Sequence, residues 1–201
     1  MRRGQKTGFF LDQRENRQRV RALAAGREAL DGFSYTGGFA IAALAGGAKR
    51  VTAIESSADA IQIARENLAA NPLDAGAIEF VQADAFKHLR ALRDRGSKFD
   101  LIVLDPPKLA PTAAHARNAA RAYKDINLLA FKLLASGGLL ATFSCSGGVP
   151  ADLFQSIVAG AALDADADAK IIERFTAAAD HPVALEFPEG EYLKGLLVLK
   201  G

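Results

Sequence analysis

The stretch Phe99-Asp-Leu-Ile-Val-Leu104, followed at once by Asp105-Pro-Pro-Lys108, decides the fold class of this chain. Its first six residues are almost wholly apolar, as expected for a strand that is covered on both faces. The two prolines fix the backbone after the strand and remove two hydrogen-bond donors. They hold the preceding aspartate in one orientation beyond the edge of a sheet. We therefore predict a buried strand that ends in a stiff loop with a functional role.

Short apolar segments and helix-like segments alternate on both sides of this stretch. The further predicted strands are 29–33, 51–55, 78–82, 139–143, 171–175 and 196–199, and a short apolar segment covers 8–11. The predicted helices are 13–25, 37–45, 57–70, 86–95, 113–134 and 151–162. This alternation predicts an α/β fold, a Rossmann-like, mostly parallel, doubly wound sheet with helices on both faces. We expect residues 1–201 to form one domain, with a basic strand–helix extension over residues 1–26.

Composition and charge exclude several classes of protein. The net charge of +2 does not suit a strongly cationic nucleic-acid binder. The first 27 residues are nevertheless predominantly basic, which indicates either a phosphate-rich partner or a solvated helix face. No apolar run approaches the ~18 residues that a membrane span needs, so no membrane association is expected. The single cysteine, Cys145, excludes an internal disulfide and a cysteine-rich metal site, and it fits a reducing cytoplasm.

The residues that follow each strand are the candidate site, because ligands of such sheets bind beyond the carboxyl ends of the strands. The first strand is followed by a turn with the pair Gly37-Gly38. Glycines here let a ligand approach the backbone at a helix N-terminus, although a tight packing turn is the alternative. The turn has neither the dinucleotide fingerprint nor the Gly-Lys-Ser/Thr of a phosphate loop. We expect a ligand that carries a nucleoside but no pyrophosphate or triphosphate.

Acidic residues follow the next two strands. Glu55 lies about 20 residues after the glycine turn, which is the usual separation of a carboxylate that binds both ribose hydroxyls. A charge favoured by the helix dipole is the alternative reading of Glu55. Asp84 could bind an adenine amino group or cap the next helix, and the sequence leaves both open.

Cys145 follows the fifth strand of the predicted sheet, within Phe143-Ser-Cys-Ser-Gly-Gly148. A lone cysteine is commonly a buried apolar residue. Its position on the same rim as Asp105 favours a chemical role instead. Because an ordinary thiol has a pKa of about 8.5, we expect a reactive site to favour the thiolate.

Several motifs, in this order, resemble those of class I RNA methyltransferases, and in particular of the ribosomal RNA large subunit methyltransferase I family, which makes 5-methylcytosine in 23S rRNA. The motifs are residues 6–14, 31–39, 105–108, 122–127, 143–147, 179–183 and 189–195. The resemblance implies a seven-stranded sheet whose last two strands form a hairpin, with S-adenosylmethionine as cofactor and S-adenosylhomocysteine as product. It further implies 23S rRNA as partner, a cytoplasmic location and a homodimer, and it indicates that the family's N-terminal RNA-binding domain is absent from this chain.

The resemblance and the strand-end positions together give a set of candidate site residues. The expected cofactor-binding residues are Phe33, Ser34, Tyr35, Thr36, Gly37, Gly38, Phe39, Glu55, Ser56, Asp84, Ala85, Asp105 and Pro106. The expected substrate-binding residues are Pro107, Lys108, Arg121, Lys124 and His181, with Arg117 as a further phosphate contact. No metal is expected.

Cys145 and Asp105 are the candidate catalytic residues. A thiolate that adds to carbon 6 of cytosine makes carbon 5 nucleophilic, and a carboxyl group at Asp105 could hold the ring nitrogen. His181 and Asp125 are candidates for the base that removes the carbon 5 proton. Three alternatives stay open: methylation of a guanine nitrogen without a thiol, an RNA-binding module without catalysis, and a small-molecule dehydrogenase.

Overall fold

A computed structural model describes residues 10–110 and 116–201, and these residues form one seven-stranded sheet with helices on both faces. The strands are β1 (Glu28–Asp31), β2 (Arg50–Glu55), β3 (Ile78–Gln82), β4 (Phe99–Leu104), β5 (Leu134–Ser144), β6 (Ala169–Phe175) and β7 (Lys194–Lys200). The helices are α1 (Arg14–Leu23), α2 (Gly38–Ala45), α3 (Ala58–Ala69), α4 (Ala85–Asp94), α5 (Ala116–Leu133) and α6 (Ala151–Asp164).

The strand order in the sheet is β3-β2-β1-β4-β5-β7-β6. Strands β1 to β5 run parallel, and β7 is antiparallel to both of its neighbours, β5 and β6. The predicted doubly wound sheet is therefore confirmed, as is the antiparallel pairing of the last two strands. The order reverses between β1 and β4, so a crevice opens beyond the carboxyl ends of these two strands.

Strand β4 lies at the centre of the sheet and packs on both faces, as its apolar sequence predicts. Ile102 and Leu104 belong to the core shared with α4, α5 and α6, whereas Leu101 and Val103 belong to the core shared with α1 and α2. All four side chains are buried. None of the helices in the described residues is long and apolar enough to cross a membrane.

Several predicted elements have bounds that differ from the observed ones. Strand β1 ends at Asp31 rather than at residue 33, because Gly32 leads the chain into a turn against β4. Strand β5 begins at Leu134, earlier than predicted, and pairs with Phe99 before a register shift. Of the predicted helix 113–134, residues 113–115 lie outside the described residues, residues 116–133 form α5, and residue 134 begins β5.

The N-terminal extension contains no strand in its described part. Residues 1–9 lie outside the described residues, while Leu11–Gln13 form a 3-10 turn that leads directly into α1. Asp12 and Gln13 are buried, so the segment packs inward against the domain instead of pairing along a sheet edge. The prediction of a strand was wrong for residues 10 and 11, since a short apolar segment fits such a turn equally well.

Candidate active site

A cavity of about 910 Å³ opens beyond the carboxyl ends of β2, β3, β4 and β5. Eleven of the predicted site residues line it, and they are Phe33, Tyr35, Glu55, Ser56, Asp84, Ala85, Asp105, Pro106, Pro107, Lys108 and Cys145. The remaining walls come from Phe10, Asp12, Gln13, Ile54, Ser57, Asp59, Ala60, Ile63, Ala83, Phe86, Tyr192 and Leu193. The parallel sheet thus brings together residues from separate strand ends, as the topology requires.

The turn after β1 holds the backbone close to the cavity. A Cβ on Gly32 would lie 2.7 Å from Leu104 Cδ2, so any larger residue would have to displace the buried Leu104 side chain. Gly37 immediately precedes α2 and has a φ of 81°. This is the left-handed backbone conformation, which glycine adopts without strain. Tyr35 adopts a φ of 47° and lines the cavity. The turn is therefore shaped by close packing at Gly32 and by the left-handed conformation at Gly37.

Asp31 anchors this turn from below. Its Oδ2 accepts a hydrogen bond of 2.9 Å from the Ala40 backbone N–H, which lies in the first turn of α2. Its Oδ1 is buried without a hydrogen-bond partner among the described residues. Burial, with Asp105 nearby, raises the pKa of Asp31 to about 7.

Glu55 is held in a fixed orientation at the end of β2. Its Oε2 accepts from the Tyr35 N–H at 3.0 Å, and its Oε1 accepts from the Ser57 N–H at 2.8 Å. The Ser56 hydroxyl adds a third hydrogen bond of 3.2 Å. A carboxylate oxygen has two lone pairs, so the Oε2 of Glu55 retains the capacity to accept from a ligand hydroxyl.

Asp84 both caps a helix and lies on the cavity wall. Its side chain accepts from the Lys87 N–H at 2.9 Å and so caps α4, and the residue also lines the cavity. The cavity wall also has an apolar surface, which is formed by Ile54, Ala85 and Phe86. This combination of two carboxylates and an apolar surface suits a flat base attached to a sugar.

Asp105 lies in an acidic environment that favours its protonated form. Burial is the largest cause, Asp12 adds repulsion, and together they raise the pKa of Asp105 to about 7. Gln13 and Arg17 act in the opposite direction. A carboxyl group with this pKa can donate or accept a proton at neutral pH.

Cys145 is half-buried on the same cavity wall. Burial and the neighbouring Asp105 raise the pKa of the Cys145 thiol, while Lys108 lowers it. The expectation that the site favours the thiolate was therefore wrong, because burial and Asp105 outweigh the effect of Lys108. Protonation of Asp105 removes one of the causes that disfavour the thiolate.

The family resemblance implies that residues 7–14, which include Asp12 and Gln13, lie near the cofactor, but no prediction named Tyr192, which belongs to the same wall. The Tyr192 hydroxyl donates to Asp12 Oδ2 at 2.6 Å, while Asp12 Oδ1 is buried without a partner among the described residues. The segments 6–14 and 189–195 carried part of the family resemblance, and that was the available signal. Only the fold shows that these two segments meet.

Other predicted residues lie outside the cavity wall. Five of them form the turn and the start of α2 beneath it, and these are Ser34, Thr36, Gly37, Gly38 and Phe39. Phe39 stacks on Phe143 with ring centroids 5.4 Å apart, which is a packing role. The described residues contain no group of three or more His, Cys, Asp or Glu side chains arranged to hold a metal ion.

The predicted cationic contacts are dispersed. Arg117 and Arg121 are exposed on α5, whereas Lys124 forms an ion pair of 2.8 Å with Asp164 at the end of α6. His181 contacts Asp180 at 3.0 Å, and Asp125 forms an ion pair with Arg90. None of these residues is part of the cavity wall, so Lys124, Asp125 and His181 do not join Cys145.

Comparisons with known proteins agree with this geometry. Residues 1–197 match the family model described as S-adenosylmethionine-dependent methyltransferase. The chain is 54% identical over 198 residues to ribosomal RNA large subunit methyltransferase I of Aeromonas hydrophila, covering 98% of this chain and 50% of that protein. It is 53% identical over 192 residues to the protein of the same name from Escherichia coli O9:H4, covering 96% and 48%. The chain therefore spans about half the length of these curated relatives.

Solved structures share the fold. SMU.776, crystallised in complex with SAH, matches with a TM-score of 0.87 at 25% identity and covers 98% of this chain and 51% of that chain. Trm5b of Pyrococcus abyssi matches with a TM-score of 0.69 at 19% identity, covering 96% and 50%, which supports the fold alone.

Proposed function

Because the chain belongs to the S-adenosylmethionine-dependent methyltransferase family, we propose that it methylates RNA, at carbon 5 of a cytosine in 23S ribosomal RNA, through a covalent adduct with Cys145. The observation that carries this proposal is the position of Cys145, which shares one cavity with Asp105 and with the carboxylates Glu55 and Asp84. A thiol in the cofactor cavity of a methyltransferase is suited to nucleophilic catalysis.

The residues present fit the cofactor. The unpartnered lone pair of Glu55 suits the ribose hydroxyls, Asp84 suits the adenine amino group, and Phe86 offers an apolar face to the base. Asp12 lies on the cavity wall with its Oδ1 buried and without a partner among the described residues, which makes this region favourable for a positively charged ligand. When bound, S-adenosylmethionine supplies the electrophilic methyl group.

The protein's own residues prepare the cytosine. Cys145 Sγ, as the thiolate, forms a bond to carbon 6, and protonated Asp105 donates a hydrogen bond to the ring nitrogen. The electron pair displaced toward carbon 5 would then form the bond to the methyl group, while the bond from that methyl group to the cofactor's sulfur breaks and leaves S-adenosylhomocysteine. Transfer of the carbon 5 proton to solvent water re-forms the double bond between carbons 5 and 6 as Sγ is eliminated, which restores the free thiolate and leaves 5-methylcytosine. The pKa of about 7 at Asp105 suits this donor role at neutral pH.

Asp105 and Cys145 act together electrostatically. An ionised Asp105 raises the pKa of the thiol, whereas a protonated Asp105 leaves Lys108 as the charge that favours the thiolate. The same protonation state thus serves both the nucleophile and the ring nitrogen. The target base must be unpaired or flipped out of a helix to enter the cavity.

The deciding experiment compares wild type with Cys145→Ala, using radiolabelled S-adenosylmethionine and bacterial ribosomal RNA. We expect label in 5-methylcytosine from the wild type only. Equal labelling by both proteins would exclude Cys145 as nucleophile and would favour a guanine nitrogen as target. Cofactor binding without labelling of any RNA would favour the RNA-binding module. The matched control is Ser156→Ala, a hydroxyl on the exposed surface of α6 that bonds only its own helix at 2.9 Å.

A further inference from the structure

Three hydroxyl groups form a fully buried cluster beneath the cavity. They belong to Tyr123 on α5 and to Ser144 and Ser146 at the end of β5, and all three residues have no exposed surface. The Ser144 hydroxyl donates to Tyr123 Oη at 2.9 Å, and Tyr123 Oη lies 3.0 Å from Ser146 Oγ. The Ser146 N–H donates to Ser144 Oγ at 3.3 Å. The cluster therefore joins α5 to the end of β5.

Ser146 also holds the loop that follows β4. Its Oγ accepts hydrogen bonds from the Leu109 N–H at 3.1 Å and from the Ala110 N–H at 3.0 Å. Pro106 and Pro107 have no N–H, so this loop has few backbone donors with which to anchor itself. A single side-chain oxygen thus receives two consecutive amides of the loop.

The two segments that Ser146 joins carry the reactive groups. Cys145 immediately precedes Ser146, and Asp105 and Lys108 lie in the loop just before the two bound amides. On its other side, the turn after Cys145 is held by Lys194, whose Nζ donates to the carbonyl oxygens of Ser146 at 2.9 Å and Val149 at 2.7 Å. The thiol therefore lies between two backbone anchors.

We propose that Ser146 is a positioning residue whose hydroxyl, oriented by Tyr123 and Ser144, fixes the loop of Asp105 and Lys108 at a set distance from Cys145. Buried polar groups cost stability unless they are fully hydrogen-bonded, and an apolar filler would serve packing alone. Tyr123 already packs edge-on against Phe154, with centroids 5.5 Å apart, so its ring fills space without its hydroxyl. The hydroxyl groups of Tyr123, Ser144 and Ser146 therefore serve to hold the loop after β4 in a fixed position relative to the end of β5.

The test is the reactivity of Cys145, which is the only cysteine in the chain. Iodoacetamide alkylation of the full chain is followed against pH in wild type and Ser146→Ala. Loosening of the loop moves both Asp105 and Lys108 away from the thiol, and Asp105 is the stronger of these two influences on its pKa. We therefore expect the alkylation profile to shift to lower pH and the rate at pH 7 to rise about threefold.

Thr142→Val is the matched control. Thr142 is also fully buried on β5, but its hydroxyl has no hydrogen-bond partner among the described residues. The alkylation profile of the Thr142→Val protein should equal that of the wild type. A folded Ser146→Ala protein with the wild-type profile would overturn the proposal, as would a shift of equal size in Thr142→Val.

Tyr123→Phe keeps the test decisive if Ser146→Ala does not fold. This variant leaves both loop amides on Ser146 but removes the group that orients its hydroxyl, so a smaller shift in the same direction is expected. An unshifted profile in Tyr123→Phe would then refute the proposal. The positioning role of Ser146 rests on the proposed function only in that Cys145 is taken as the nucleophile. A wild type that makes no 5-methylcytosine would refute the proposed function. The alkylation profiles support or refute the positioning role separately.

Discussion

The hydroxyl of Tyr192 donates a hydrogen bond of 2.6 Å to Asp12 Oδ2, across 180 residues of sequence. This contact joins the segment before α1 to the segment before β7 and thereby completes the cavity wall next to Cys145. A second connection lies nearby, because the Ala178 N–H donates to the Asp12 carbonyl at 2.8 Å. The N-terminal segment is therefore an integral part of the site.

Removal of the Tyr192 hydroxyl should destabilise the protein. In Tyr192→Phe the buried Asp12 carboxylate loses its hydrogen-bond donor, which we expect to lower the free energy of unfolding by about 1–3 kcal/mol. Urea denaturation of wild type, both single variants and the Tyr192→Phe/Asp12→Asn double variant gives the coupling energy. Strictly additive single effects would show that the two side chains do not interact in solution.

Glu55→Gln should weaken cofactor binding while leaving the fold intact. The two oxygens of Glu55 face two backbone N–H groups, from Tyr35 and Ser57, so an amide NH₂ must oppose one of them. We expect affinity for S-adenosylhomocysteine, measured by calorimetry, to fall about ten- to hundredfold. Asp59→Asn, an exposed carboxylate on the cavity rim, is the control and should change affinity little. Equal losses in both variants would show that general charge, and not the fixed orientation of Glu55, governs binding.

Stability should fall as pH rises from about 4 to about 7 through the contribution of Asp31. Its pKa is raised to about 7 in the folded chain, so the native state retains a proton that the unfolded chain has already lost above pH ~4. The proton-bound native state is favoured at low pH, and that advantage is lost as pH rises through the folded pKa. Asp31→Asn keeps an acceptor for the Ala40 N–H but cannot ionise.

The free energy of unfolding of Asp31→Asn should therefore depend less on pH than that of the wild type over this range. Urea denaturation at several pH values compares the two slopes. Identical slopes would place the responsible proton elsewhere, with Asp105, whose pKa is also raised to about 7, as the next candidate.

Two cations on α5 should differ in their effect on RNA binding. Arg121 is exposed, whereas Lys124 forms an ion pair with Asp164. If RNA phosphates contact this end of the site, Arg121→Ala should weaken binding and reduce the salt slope by about 0.7, the value for one phosphate on a single strand. Lys124→Ala should leave both unchanged. Fluorescence anisotropy with a ribosomal RNA fragment at several salt concentrations measures the slope, and a loss in Lys124→Ala alone would reverse the assignment.

The local sequence pattern was sufficient to predict the sheet and about half of the residues that line the cavity. The apolar segment Phe99–Leu104 has the length and composition expected of a strand covered on both faces, and the residues after parallel strands meet at one edge of the sheet. Glu55, Asp84, Asp105 and Cys145 were accordingly predicted together, and the structure places all four on one cavity. These positions depend on short-range periodicity and on the direction of parallel strands, both of which the sequence determines by itself.

Tertiary structure alone decided the rest. The Asp12–Tyr192 contact, the loop anchor at Ser146 and the ion pair that occupies Lys124 each join residues on different elements, which no local pattern specifies. The raised pKa of Cys145 likewise depends on burial and on the distance to Asp105 and Lys108. Burial and through-space charge are properties of the packed chain, so the sequence named the reactive groups, and the fold determined their protonation and their partners.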